Sequence, residues 1–449
     1  MTTRPRGAHK LSASTTPNGT LIREQVARLA PALEPLYRDL HAHPELSMQE
    51  TRTAGIVAMR LRALEGWEVT PGIGKTGVVG VLRNGDGPVI GVRADMDALP
   101  VEEKTGLPYA SSARGTDPDG NDVPVMHACG HDIHTTALLG AAEALARTRA
   151  AWRGTVVAIF QPGEESLAGA EAMLRDGLFT RFPRPDLLLG QHDDPFEVGT
   201  LLHRPGVLAA ACTNLRVRIF GVGGHGASPE SAVDPIVIAA SAIVRLQTIA
   251  AREFAARDTP VVTVGMMRAG TRPNIIPEEV LLRITLRSNK NQALDQIEAA
   301  VRRIIAAEAQ AGRSPRPPEI EVEEHTVVLD NDPALTARLM AAHRAHFGAE
   351  RVLELPDVQT GSEDFSLFGL AGPDHFPPPN IPYCYWSFGA TSPAVWAKTP
   401  GATPFEKAYH LPSPHSPLFA PDYAPTLRVA TEGLLVAALE VLADPESNV

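Results

Sequence analysis

Between about residues 20 and 205, short apolar runs alternate with stretches whose hydrophobic positions recur at the helical spacing. The runs PVIGVRAD, TVVAIFQP and DLLLGQHD are apolar on both faces, as strands covered on both sides must be. This part of the chain therefore predicts parallel βαβ units. Each run hands over at its C-terminal end to polar, potentially ligating residues, and ligands of open α/β sheets bind at that edge.

Between about residues 212 and 326 the pattern changes. NLRVRIFG reads as a strand, Val233 to about Phe254 as a helix, PVVTVGMMRAG and VLLRITLRS as two strands, Gln292 to about Ala311 as a second helix, and EIEVEEH as a last strand. That βαββαβ order is the ferredoxin-like plan, a small sheet with two helices on one face. PALTARLMAAHRAHFG and APTLRVATEGLLVAALEVLA follow as helices, separated by the polar-to-apolar turn GSEDFSLF, and the Pro-rich stretch 371–404 reads as an irregular surface loop. The expected fold class is α/β. A mixed, mostly parallel sheet flanked by helices forms a catalytic domain from residues 20–211 and 327–449, and a ferredoxin-like lid, 212–326, is inserted into it.

A chain of 449 residues is too long for one ordinary core, which agrees with two domains. Cys129, Cys212 and Cys384 are odd in number and far apart, so a disulfide framework is not expected and a reducing, cytoplasmic compartment is. The opening MTTRPRGAHKLSASTTPNGT is polar, with no apolar core of a signal peptide, and reads as a frayed tail; no stretch offers about 18 uninterrupted apolar residues. Net charge is −11 with both signs scattered and no basic stripe, so neither nucleic acid nor a membrane is an expected partner.

Candidate chemistry begins in VMHACGHDIHTTALLGAA. Cys129 and His131 lie two apart, ahead of a helix starting near Ile133, so an extended loop would turn both toward one point. A thiolate and an imidazole suit zinc and its neighbours, although such a pair alone reads more readily as a buried structural cysteine beside capping residues. Glu164 and Glu165, in IFQPGEES, stand directly past a buried strand, where two like charges repel unless something positive holds them. Neighbouring side chains in a turn point apart, so one can bind a metal while the other faces a water, the division of labour of metal-assisted hydrolysis. Two glutamates favoured by a helix N-terminus are the plain alternative.

His192 ends the next apolar strand at the same sheet edge. Asp95 and Asp97, in VRADMDALP, end another; they either orient imidazoles from behind, ligate directly, or simply form a turn. His410 and His415, in HLPSPHSPLF, could each complete the site by long-range folding, and spacing does not choose between them.

Taken together, HAHPELSMQE, RADMDALP, HACGHDIHTTALLGAA, QPGEES, GGHGASPESAVDPI, RPNIIPEE, GSEDFSLF and HSPLF resemble the M20 metallopeptidase family, in particular its branch of aminoacylases, hippuricases and auxin-conjugate hydrolases. The likeness runs from about residue 35 to the last helix. It implies two divalent metal ions (zinc, manganese, cobalt or nickel) bridged by Cys129, with His131, Glu165, His192 and His415 as the remaining ligands and Glu164 as general base. His415 is preferred to His410 because it heads the family-like HSPLF. His225 in GGHGA and Asn274 in RPNIIP match lid positions that in this family reach the substrate, the histidine often from a partner subunit, so a homodimer through the lid is also implied. A neutral imidazole and a side-chain amide there could donate to an oxyanion, and closure of a lid would expel water.

The chain departs from the family's pattern in places. Glu230 stands where a histidine is common, Gln191 and Asp193 flank His192 where small or apolar residues are usual, LRITLRS lacks the glycine common before its arginine, and the 371–404 stretch is longer than usual. None of these removes an implied ligand. The expected activity is hydrolysis of the amide of an N-acyl amino acid or similar small conjugate. A carboxypeptidase or dipeptidase on the same chemistry is the first rival, since pocket walls rather than motifs set specificity. A metal-dependent binder without turnover is the second, but it would have no use for an unligated Glu164.

Overall fold

Two helices, α1 (Pro17–Ala42) and α2 (Thr51–Arg62), lead into a hairpin of β1 (Trp67–Ile73) and β2 (Gly77–Asn84) and then β3 (Val89–Asp95). After α3 (His131–Arg147) come β4 (Gly154–Gln161), β5 (Leu187–Glu197) and the short β6 (Leu201–His203). The structure is a computed structural model that describes residues 17–255, 259–369 and 380–443.

A four-stranded unit follows: β7 (Ala211–Phe220), α4 (Pro235–Thr248), β8 (Val261–Ala269), β9 (Glu279–Ser288), α5 (Asn291–Ala311) and β10 (Glu319–Thr326). Its sheet runs β8-β9-β7-β10 with every neighbouring pair antiparallel, the strand order of the ferredoxin-like plan. Alternation decides its two faces. Leu215, Val217, Ile219, Leu282 and Ile284 turn inward against Ile238, Leu246, Ile297 and Ile304 of the helices. The intervening residues, Asn214, Arg216, Arg283 and Arg287 among them, form a polar opposite face. Helix α4 begins at Pro235 rather than Val233, because the Asp234 side chain accepts the Ile236 N–H (2.9 Å) and proline is preorganised for the first helical position. It ends at Thr248 in a π turn over Ile249–Glu253.

The chain then returns through α6 (Pro333–Phe347), β11 (Val352–Glu354), β12 (Tyr383–Thr391) and α7 (Tyr423–Leu442). This completes an eight-stranded sheet in the order β1-β2-β4-β3-β5-β12-β6-β11. The β4/β3, β3/β5, β5/β12 and β6/β11 pairs are parallel, while β1/β2, β2/β4 and β12/β6 are antiparallel. The expectation of parallel units thus holds for the three quoted runs and fails for the first two strands, which form a hairpin. One face of the sheet is covered by α1, α3 and α7, with Leu40, Ile133, Leu138, Trp152, Trp386 and Leu434 in its core. The other buries Val79, Ile159, Met173, Phe365, Phe368 and Tyr385.

The reading of 371–404 as an irregular loop is corrected. Residues 371–379 lie outside the described set, but Tyr383–Thr391 is a buried strand paired to β5 in the middle of the sheet, and Pro393–Lys398 is a helix. The aromatic run YCYWSF has strong strand character, which its proline-rich flanks mask in the sequence.

Candidate metal centre

The C-terminal ends of β3 and β4, the middle of β5 and the N-terminus of α3 meet at one side of the large sheet; His192, expected at the end of its strand, lies within Leu187–Glu197. Helix α3 starts at His131 itself, not near Ile133, and the turn that aims Cys129 and His131 together is Gly130, whose φ is +74°. A side chain there would be strained by that φ, and its Cβ would fall 2.1 Å from Asp193 Oδ2. The convergence therefore comes from a left-handed glycine rather than from an extended loop.

Two donor groups share the thiol. Cys129, His131 and His192 form one set, and Cys129, Glu165 and His415 another, the ligand atoms within each lying no more than 4.8 Å apart. Cys129 Sγ is 3.3 Å from His192 Nε2, and Glu165 Oε2 is 3.3 Å from His415 Nε2. His415 comes from a C-terminal loop pinned beside Cys129 by its own N–H, which donates to the Ala128 carbonyl (2.7 Å). Its φ of +72° is unusual for a residue with a Cβ, the kind of local strain that gathers at functional sites. His410 instead is exposed, with its N–H bonded to the Lys407 carbonyl.

Supporting carboxylates fix the imidazoles. His131 Nδ1 donates to Asp97 Oδ1 (3.1 Å), and Asp97 Oδ2 accepts from Ser47 (2.6 Å) and from the Glu165 N–H (3.0 Å). Asp95 accepts from His134 Nδ1 (2.6 Å), and its other oxygen lies 3.7 Å from His131 Nε2. Both aspartates thus lie behind or beside the histidines. Burial would raise Asp97, but bonds from His131, Ser47 and Glu165 hold it below the usual carboxylate value.

The donor set fits divalent cations on three observations. His131 Nε2 and Glu165 Oε1 are buried with no hydrogen-bond partner, although both face this cluster. Burial and the nearby Glu165, Glu164, Asp193 and Asp95 push the Cys129 thiol well above its usual value, so a thiolate here requires positive charge beside it. Burial works against a charged His131, yet Asp95, Asp97 and Glu165 outweigh it and raise the imidazole to about 10, a measure of how strongly the pocket attracts a cation.

Glu164 lies beside Glu165, the two carboxylates and His131 having ligand atoms within 4.8 Å of one another, but it shares no donor set with Cys129 in either of the two groups above. It is 6% exposed, and its carboxyl lies well above the usual carboxylate range, first through burial and then through Glu363, Glu165 and Asp364. Behind it Arg93, fully buried, forks to Asp95 Oδ2 (2.6 Å) and Glu363 Oε1 (2.8 Å) and donates Nε–H to Gln161 (2.8 Å). Tyr385 donates its hydroxyl to Glu363 Oε2 (2.6 Å). One guanidinium thereby joins the end of β3 to the GSED loop from the far side of the four-stranded unit.

His225 and Asn274 stand apart from this cluster. Both are exposed on the four-stranded unit, where His225 pairs with Ile275 in a two-residue ladder and the Gly226 N–H donates to the Asn274 carbonyl (2.9 Å). Among the described residues no hydrogen bond or ion pair links either to the cysteine cluster. Sequence reasoning missed His134, Arg93, Glu363 and Arg287. His134 lies one helical turn from His131, and an arginine inside the apolar run VIGVRAD was a signal that passed unused. Arg287 donates to the Thr360 carbonyl and Ser362 Oγ (2.9 Å each), joining the four-stranded unit to the GSED loop.

Comparison with known proteins places the chain among related hydrolases. Hippurate hydrolase of Campylobacter jejuni is 37% identical over 349 residues, 77% of this chain and 86% of that protein. N-acetyl-L-cysteine deacetylase of Bacillus subtilis is 37% identical over 341 residues, 74% of this chain and 76% of its own length. The crystal structure of the Bacillus subtilis YxeP protein, described as a dinuclear metal binding peptidase from the M20 family, superposes with a TM-score of 0.68 at 29% identity, covering 93% of this chain and 99% of that one. Residues 91–397 match the model of peptidase family M20/M25/M40, and the chain belongs to that family.

Proposed function

We propose that the protein is a dinuclear metal-dependent amidohydrolase that cleaves the amide of N-acyl amino acids or similar small conjugates to a carboxylic acid and an amine. The observation that carries this is the cysteine shared by two donor sets, with a buried glutamate, Glu164, outside both of them yet beside them, within 4.8 Å of His131 and Glu165. Cys129 would bridge the ions, with His131 and His192 on one side and Glu165 and His415 on the other. Two divalent cations there (zinc, manganese, cobalt or nickel) supply Lewis acidity to the scissile carbonyl and to a water.

The protein's own groups account for the proton. As the water oxygen adds to the carbonyl carbon, one of its protons passes to Glu164; as the C–N bond breaks, Glu164 returns it to the leaving nitrogen. Burial and the neighbouring Glu363 raise Glu164, which suits a group that must hold the proton between the two steps. His225 and Asn274 would donate to the oxyanion. Because both are exposed in this chain, that role requires closure of residues 212–326 as a lid or a second subunit.

A homodimer through this unit is supported by Val237 and Val244, 61% and 71% exposed on α4, and by β8, an edge strand exposing Val261 and Met267. A cytoplasmic location is supported by three free, buried thiols. The relatives' names, for hippurate and N-acetyl-L-cysteine, favour N-acyl amino acids, whereas the name of the YxeP structure favours a peptidase. Amine release, followed with ninhydrin, from N-acetyl, N-benzoyl and indole-acyl amino acids and from dipeptides separates these. Turnover of the acyl amino acids supports the proposal; turnover of dipeptides alone, or of nothing with metals bound, refutes it.

A further inference from the structure

His192 is followed by two aspartates, and the first is in an unusual position. Asp193 is completely buried, yet neither carboxylate oxygen has a hydrogen-bond partner. Burying a carboxylate that makes no hydrogen bond is unfavourable, so its surroundings must answer the charge.

Those surroundings are the histidines of the metal centre. The Asp193 N–H donates to His134 Nε2 (3.0 Å), and the Asp193 carbonyl accepts from His192 Nδ1 (2.6 Å). With Nδ1 so engaged, the lone pair of His192 lies on Nε2, the atom that faces Cys129 Sγ. The carboxylate itself lies 3.3 Å from His134 Nε2 and 3.5 Å from His192 Nδ1. The His134 and His192 rings meet edge to face at 4.7 Å between centroids. On its other side Asp193 presses on Gly130, the single residue between Cys129 and His131, where even a Cβ would collide with it.

We propose that Asp193 is a positioning residue for the metal centre. Its main chain holds the back of His192 and of His134, and its carboxylate, 3.5 and 3.3 Å from those two rings, places negative charge beside Cys129, His131 and His192 that strengthens cation retention. This rests on the metal-centre reading above. Groups that orient a ligating histidine from behind typically contribute about 10 to 100-fold in metal affinity. Asp194 provides the contrast: on the strand face opposite Asp193, its side chain is bonded to Gln359 (3.3 Å), and although its charge is felt by His192, no hydrogen bond or ion pair among the described residues links it to Gly130 or His134.

The test uses the full chain with cobalt(II) as probe. Cobalt affinity is measured by chelator competition, and the thiolate-to-cobalt absorption band is recorded for wild type, Asp193→Asn, Asp193→Ser and Asp194→Asn. We expect both Asp193 variants to bind cobalt about 10 to 100-fold more weakly with an altered band, and Asp194→Asn to lose clearly less and keep the wild-type band. Asparagine keeps the shape and removes a buried charge, and serine is smaller than aspartate beside Gly130, so neither substitution overfills the site. Unchanged affinity in the Asp193 variants, or equal loss in Asp194→Asn, overturns the inference while leaving the metal centre standing. Failure of the wild type to bind cobalt overturns the metal-centre reading itself.

Discussion

Replacing Arg93 with methionine is a sharp test of how the interior behind the site is held. The guanidinium is 1% exposed and faces Asp95, Glu363 and, at 3.5 Å, Asp364. Methionine occupies a similar volume and preserves much of the packing, but it leaves Asp95 and Glu363 buried without their counter-charge. Breaking one buried pair in this way costs about 3–5 kcal/mol, roughly a 10²–10⁴-fold change in the folded-to-unfolded ratio, against a typical total of about 5–15 kcal/mol. The assay is urea unfolding at pH 7, followed by fluorescence of the buried Trp152 and Trp386. Arg83→Met is the control: that arginine bridges Glu68 at 2.6 Å, but the side chains are 50% and 69% exposed, so at most about 1 kcal/mol is expected. If Arg93→Met cost no more than Arg83→Met, the idea that this arginine organises the buried carboxylates would be refuted.

Three further outcomes are expected. Glu164→Gln should keep its metal yet lose about 100 to 10,000-fold in turnover, and near-normal turnover in that variant would remove the residue from the base role. Cys129→Ser should lower metal content as well as rate, because a serine alkoxide is far harder to form than a thiolate; elemental analysis showing full metal content would refute the bridge. Below neutral pH the protein should lose stability through His343, which burial holds neutral down to about 4 and which pairs with His203 at 2.9 Å. The unfolded chain binds this proton below about pH 6.5 and the folded one only near 4, so stability falls across that window by up to about 3 kcal/mol. The slope of unfolding free energy against pH should be shallower in His343→Asn, and an identical slope would contradict the assignment.

What the sequence made legible was local. Strands β3, β4 and β5 stand out because each is apolar on both faces, and Glu164 and Glu165 follow directly from where β4 ends, whereas His192 lies in the middle of β5 rather than at its end and Cys129 and His131 lie at the start of α3. The order of elements between β7 and β10 carries its own topology, since βαββαβ has few ways to pack. Strand β12 was hidden because proline-rich flanks dominate the window around it, and the β1/β2 hairpin because apolar runs do not announce their direction. Spacing left His410 and His415 open and only the family resemblance chose His415; the physical reason, its loop's contact with Ala128, spans hundreds of residues. The meeting of Arg93 with Glu363, and of Asp193 with His134, likewise exists only in the fold.

The most direct test of the account is to titrate metal-free protein with zinc, manganese, cobalt or nickel while following amine release from an N-acyl amino acid that the holoenzyme cleaves. The account predicts no turnover without metal and activity that saturates as two equivalents per chain bind. Turnover by the metal-free protein, or full activity at one equivalent with no second ion bound, would contradict it.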